Sequence, residues 1–186
     1  MIDFRICVRS ICSEVSSVLE AVREDEVESF VREILKAEKV FVMGAGRVGL
    51  ILSTFAKRLN HIRVNAFVVG ESTNPDASSK DLLIAGSGSG ETATTITIAT
   101  LAKKRSARVA LITVHPDSTL GKLADLVLLL PAPTKLRRPG EIPSEQPMSN
   151  LFEQSLLILC DALTIMIQKE KGIREEEMWQ RHANLE

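Results

Sequence analysis

The chain has no excess of charge of either sign: 23 Lys and Arg stand against 24 Asp and Glu, a formal net charge of -1. That balance gives no electrostatic case for a nucleic acid or an acidic surface as partner. Its one basic cluster, Lys135, Arg137 and Arg138, falls in a proline-rich loop and reads as solvated charge. Cysteine is scarce. Cys7, Cys12 and Cys160 are an odd number without metal-ligand spacing, which argues against a metal site or a disulfide framework and fits buried thiols in a reducing compartment. Long apolar runs are missing too, since Asp161 and Thr164 interrupt the longest one, so no membrane span is expected. Charges at Asp3, Arg5 and Arg9 break the opening segment, so no signal peptide is expected there. There is no internal repeat and no low-complexity tract.

What is present is 186 residues, 45% of them apolar and 25% charged, which is the composition of one globular domain with its own core. Segments 39–43, 63–69, 82–85, 108–113 and 126–130 are short Val/Ile/Leu-rich runs, as expected of strands buried on both faces. Helical patterns separate them at 48–59, 91–104 and 119–124, the last behind the cap-like Asp117-Ser118. Strands alternating with helices predict a five-stranded parallel α/β sheet of flavodoxin-like order 2-1-3-4-5 with helices on both faces. The expected division is a single domain over 1–186, with N-terminal helices at 1–37, the α/β core at 38–131, a loop at 132–149, and a C-terminal helix and tail at 150–186.

Phe4, Val8, Ile11, Val15, Val18 and Val22 form a heptad-like seam longer than one small sheet needs. The stretch 151–168 is apolar around nearly its whole circumference. Both features predict a homo-oligomer, the alternative being helices that simply wrap their own sheet. The stretch 131–147 holds five of the seven prolines and has no periodicity; loops this long in compact domains are often functional.

Two glycine-rich loops each follow a predicted strand and open a helix. The first, Gly44-Ala45-Gly46-Arg47-Val48-Gly49, matches G-x-G-x-x-G, with Glu71 as a candidate acidic partner for a dinucleotide, but a lone match is a weak signal and little chain remains for a substrate domain. The second runs Gly86-Ser87-Gly88-Ser89-Gly90-Glu91-Thr92. Its three hydroxyls at a helix start suit the oxygens of a phosphate monoester. Ser89 acting only as an N-cap is the competing explanation. In the expected sheet order both loops follow the strands at the switch point, so they grip one phosphorylated ligand from two sides. The segments 71–75 and 113–115 are expected to border the same crevice.

Ser87-Gly88-Ser89-Gly90-Glu91-Thr92 resembles the SxSGxT phosphate loop of the sugar isomerase (SIS) domain family. Gly44 to Arg47, Lys57 to His61, Gly70 to Ser72, Gly121 to Asp125, Leu151-Phe152-Glu153 and the closing Arg181-His182-Ala183-Asn184-Leu185-Glu186 are similar, within that family, to the 6-phospho-3-hexuloisomerases. The resemblance implies a cytoplasmic, cofactor-free and metal-free homotetramer that interconverts 3-hexulose 6-phosphate and fructose 6-phosphate. It implies substrate binding by Gly46, Arg47, Glu71, Ser87, Gly88, Ser89 and Thr92. Val48 departs from the resemblance, standing where similar sequences carry Ser, and His115 stands where Asn is common.

Moving a carbonyl between neighbouring carbons needs one base and one acid. Glu153 is the candidate base, from its place at the start of an apolar helix and from the Leu-Phe-Glu resemblance; Asn150 with Glu153 three residues on also fits a capping box. His182 is the candidate acid by the terminal motif, reaching a neighbouring subunit, whereas His61 reads as a helix-end or structural histidine. The alternatives are an SIS isomerase for another sugar phosphate and a non-catalytic phosphosugar-binding module.

Overall fold

The computed structural model describes residues 3–182; Met1, Ile2 and Ala183 to Glu186, the end of the terminal motif, lie outside them. Two helices, α1 (Phe4–Glu20) and α2 (Glu24–Lys36), lead into β1 (Val40–Gly44) and α3 (Arg47–His61). Then come β2 (Ala66–Val68), β3 (Leu82–Gly86), α4 (Ala93–Lys104), β4 (Arg108–Thr113), α5 (Thr119–Leu123) and β5 (Leu126–Leu129). The long α6 (Asn150–Glu170) and a short α7 (Glu175–Trp179) close the chain. The five strands are parallel in the order β2-β1-β3-β4-β5, as the alternating pattern predicts.

Alternation along the strands divides the core in two. Val40, Val42, Ile84, Ala110 and Ile112 point to the side covered by α2, α3 and α6, where Phe30, Leu52, Phe55, Phe152 and Leu163 are buried. Phe41, Leu83, Ala85, Val109 and Leu111 point to the other, where Ala99 of α4 and Leu120 of α5 cover them. The central strand β3 buries every residue and β4 all but Arg108, which is why their sequences read as continuous apolar runs. Among the described residues α6 is the one helix long and apolar enough to cross a membrane, and half of that apolar window is buried in the fold, against α3, α1 and α2.

β2 is shorter than the expected 63–69. The chain is still leaving α3 there: Arg63 has a left-handed φ of 58°, and the Asn60 side chain bonds both backbone groups of Ala66 at 3.2 and 2.7 Å, fixing where the strand starts. The seam of α1 divides in two. Val18 is buried and Val15 and Val22 pack on the core, so this half wraps the protein's own sheet, whereas Phe4 and Val8 are exposed. Cys160 is buried, and burial pushes its thiol pKa up; Cys7 and Cys12, expected to be buried, are exposed on α1. Helix α7 was not expected. Three glutamates in its first turn favour that end of the helix dipole, and the Glu177 carboxylate accepts the Arg174 N–H at 3.1 Å.

Candidate active site

At the carboxyl ends of β1 and β3 the chain turns twice into helices. Gly46, with a φ of 58°, is the N-cap of α3, and a Cβ on Gly49 would sit 2.6 Å from the Gly44 carbonyl oxygen, so these glycines let α3 seat directly on the strand end. In the second loop the Ser87 and Thr92 hydroxyls lie 2.9 Å apart, and Ser87 Oγ accepts the Gly90 N–H at 3.1 Å. The Gly88 carbonyl is held from β4 by the Val114 N–H and the Thr113 hydroxyl, both at 3.2 Å. Gly90 has a φ of 65°, and a Cβ there would fall 1.9 Å from Ser118 Oγ, so no other residue fits the turn.

Ser89 is not the helix cap. Thr92 occupies the N-cap of α4 and makes no side-chain cap bond, while Ser89 Oγ accepts the Glu91 N–H at 3.2 Å within the turn. The α3 N-terminus likewise has no side-chain cap. Two helix ends therefore present backbone N–H groups to the same space without a side chain answering them, an arrangement suited to an anion.

That space is a cavity of about 360 Å³, lined by Gly46, Arg47, Val48, Ser87, Gly88, Ser89 and Thr92 on the loop side. Thr134, Lys135, Leu136, Met148 and Ser149 of the long loop and Phe152 and Glu153 of α6 complete it. Val48 puts its Cγ1 methyl against Gly44 and Gly86; a Cβ on either would come within 2.8 Å of it. At this position the base of the site is closed by packing.

Glu153 does not cap α6. The N-cap is Ser149, Asn150 is the first helical residue, and the Asn150 N–H donates to the Pro147 carbonyl at 3.2 Å. The Glu153 carboxylate instead faces Arg47: Oε2 is buried and lies 3.0 Å from Nε, outside hydrogen-bond alignment. Arg47 Nη1 donates to Asn150 Oδ1 at 2.7 Å. Both residues of the supposed box thus hold one guanidinium from the first loop, bringing α3 and α6 together over the cavity.

Two expectations about the lining of this cavity are corrected. Glu71 and the rest of 71–75 do not line this cavity; Asn74 and Pro75 line a separate apolar hollow beside Phe41 and Leu101. Nor does 113–115, because His115 is drawn to Glu141, with Nε2 and Oε1 2.9 Å apart. His182 lies in a different cavity, with Arg58, His61, Met178 and Trp179, its ring stacked on His61 at 5.7 Å between centroids. The place expected for 71–75 is taken by the long loop, and so the basic cluster is not idle: Lys135 lines the cavity, and Arg137 Nη2 donates to the Gln146 carbonyl. Its position in an aperiodic proline-rich stretch was the signal available in the sequence.

A family model described as the SIS domain matches residues 33–165. The 3-hexulose-6-phosphate isomerase of Bacillus subtilis (strain 168) is 40% identical over 179 residues, covering 96% of this chain and 97% of its own. That of Mycobacterium gastri is 40% identical over 173 residues, covering 93% and 86%. A solved hypothetical protein of Methanococcus jannaschii, whose structure infers a molecular function of 3-hexulose-6-phosphate isomerase, superposes with a TM-score of 0.83 at 31% identity, covering 96% of this chain and 98% of its own.

Proposed function

The chain belongs to the SIS domain family, and on that premise we propose that it is a phosphosugar isomerase interconverting 3-hexulose 6-phosphate and fructose 6-phosphate. The observation that carries this reading is one cavity in which the hydroxyl-bearing loop at Ser87 to Thr92 stands with the Glu153 carboxylate. The loop binds the phosphate by its hydroxyls and the two uncapped helix ends, leaving the sugar chain to extend toward α6.

Glu153 removes the proton from C2, the released pair forms the C2–C3 double bond of an enediol, and O3 takes up a proton. Return of the carbon-bound proton to C3 and loss of the O2 proton leave the carbonyl at C2. Arg47 orients the carboxylate that does this work. His182 is exposed near the chain end and supplies the oxygen-bound proton to the site of a neighbouring copy. That assignment goes with a cytoplasmic homotetramer; the apolar side chains that α1 and α6 leave exposed support association with further copies.

The test is a coupled assay of fructose 6-phosphate formation from enzymatically prepared 3-hexulose 6-phosphate, with arabinose 5-phosphate and sedoheptulose 7-phosphate as controls. Turnover of the hexulose phosphate in preference to the controls is expected. A chain that binds it without converting it would be a sensor, and conversion of a control alone would reassign the substrate.

A further inference from the structure

A phosphate monoester carries nearly two negative charges at neutral pH, and hydroxyls with helix ends supply only partial positive charge. Among the described residues two cationic side chains line the cavity, Arg47 and Lys135. Arg47 is engaged by Glu153 and Asn150, so its charge is already balanced within the site. Lys135 is exposed, and among the described residues no carboxylate pairs with it.

The backbone on both sides of Lys135 is tied down. Thr134 is buried, and its N–H and hydroxyl donate to the two Glu141 carboxylate oxygens, each at 2.8 Å. The Leu136 N–H donates back to Thr134 Oγ1 at 3.3 Å. Glu141 itself is only 3% exposed and is met from the far side by His115. An ionised carboxylate only accepts, so His115 carries its proton on Nε2 in this contact. A lysine on a fixed backbone has only its own side chain to order when an anion arrives.

We infer that Lys135 is the cationic partner of the substrate phosphate, adding a charged contact to those of the Ser87–Thr92 loop in the same cavity, and that Glu141 is its positioning residue. The inference rests on the phosphosugar reading and adds to it a charged contact from the long loop. Inorganic phosphate serves as a second probe, because its binding does not depend on catalysis.

In the full chain, Lys135→Gln is expected to raise both KM for 3-hexulose 6-phosphate and the inhibition constant of inorganic phosphate by roughly 10–100-fold, the range for a hydrogen bond to a charged group. Lys135→Arg recovers most of the loss, kcat stays within a few-fold of the parent, and salt weakens phosphate inhibition more in the parent than in Lys135→Gln. Glu141→Gln weakens phosphate inhibition only while Lys135 is present, which a merely structural role would not do. Phosphate inhibition unchanged in a folded Lys135→Gln protein overturns the inference and leaves the isomerase reading standing. If the parent turns over no sugar phosphate yet loses phosphate binding, measured by melting shift, on Lys135→Gln, the isomerase reading falls and this one holds.

Discussion

At the scale of single residues, Glu153 shows how one sequence pattern supports two roles until a neighbour from elsewhere decides. Spacing allowed a capping box with Asn150; the helix starts one residue earlier than that box requires, and both side chains are claimed by Arg47. Gln at position 153 keeps the shape and can still face the guanidinium, but has no lone pair basic enough to take a carbon-bound proton. Glu153→Gln is therefore expected to fold, to keep the melting shift given by fructose 6-phosphate, and to lose kcat by roughly 10²–10⁴-fold. Steady-state kinetics beside thermal melts checks this; turnover within a few-fold of the parent would place the base elsewhere.

At the scale of elements, the stretch between β5 and α6 has no regular structure and is nonetheless fixed, because two carboxylates hold it. Glu141 anchors its first half through Thr134 and His115. Glu14 of α1 anchors the second, accepting from the Ser144 hydroxyl, the Glu145 N–H and the Gln146 amide at 2.6, 3.0 and 2.9 Å. Burial works to raise both carboxyls, and these hydrogen bonds, with Arg137 near Glu14, outweigh it, so both stand below the ordinary glutamate value. A depressed carboxyl contributes stability that is fully present above its unfolded pKa of ~4.3 and is lost as pH falls through the lower folded value. Melting temperatures of the parent and of the Glu14→Gln, Glu141→Gln double variant should therefore differ most near neutrality and converge below about pH 4. A gap that stays constant down to pH 3 would show that the two carboxylates do not carry this effect.

At the scale of the whole molecule, α1 and α6 each leave several apolar side chains uncovered. Phe4 and Val8 of α1 are 78% and 39% exposed, and Leu157, Ile158, Ile165 and Met166 form a stripe along α6 at 37–52%. A patch of this kind on a chain without a net charge surplus is expected to be covered by further copies. Light scattering should give a dimer or tetramer for the parent and a smaller, less soluble species for Ile158→Glu with Ile165→Glu. A monodisperse, active monomer from the parent chain would defeat the oligomer.

The sequence alone determined the sheet, its order and its two glycine loops. Those features depend on local rules: apolar runs for strands buried on both faces, helical periodicity between them, and glycines where a strand must turn at once into a helix. Tertiary structure decided which distant segment completes the site. Whether 71–75 or 134–136 faces the phosphate loop, and whether Glu153 turns to its own backbone or to Arg47, depends on how the loop and α6 cross the sheet ends. Such contacts join residues far apart in the chain, Arg47 and Asn150 by 103 positions, and no local spacing encodes them. The loop's own register is likewise set by part-buried carboxylates, Glu14 reaching in from α1 and Glu141 from within the loop, interactions that exist only once the fold has brought these groups together.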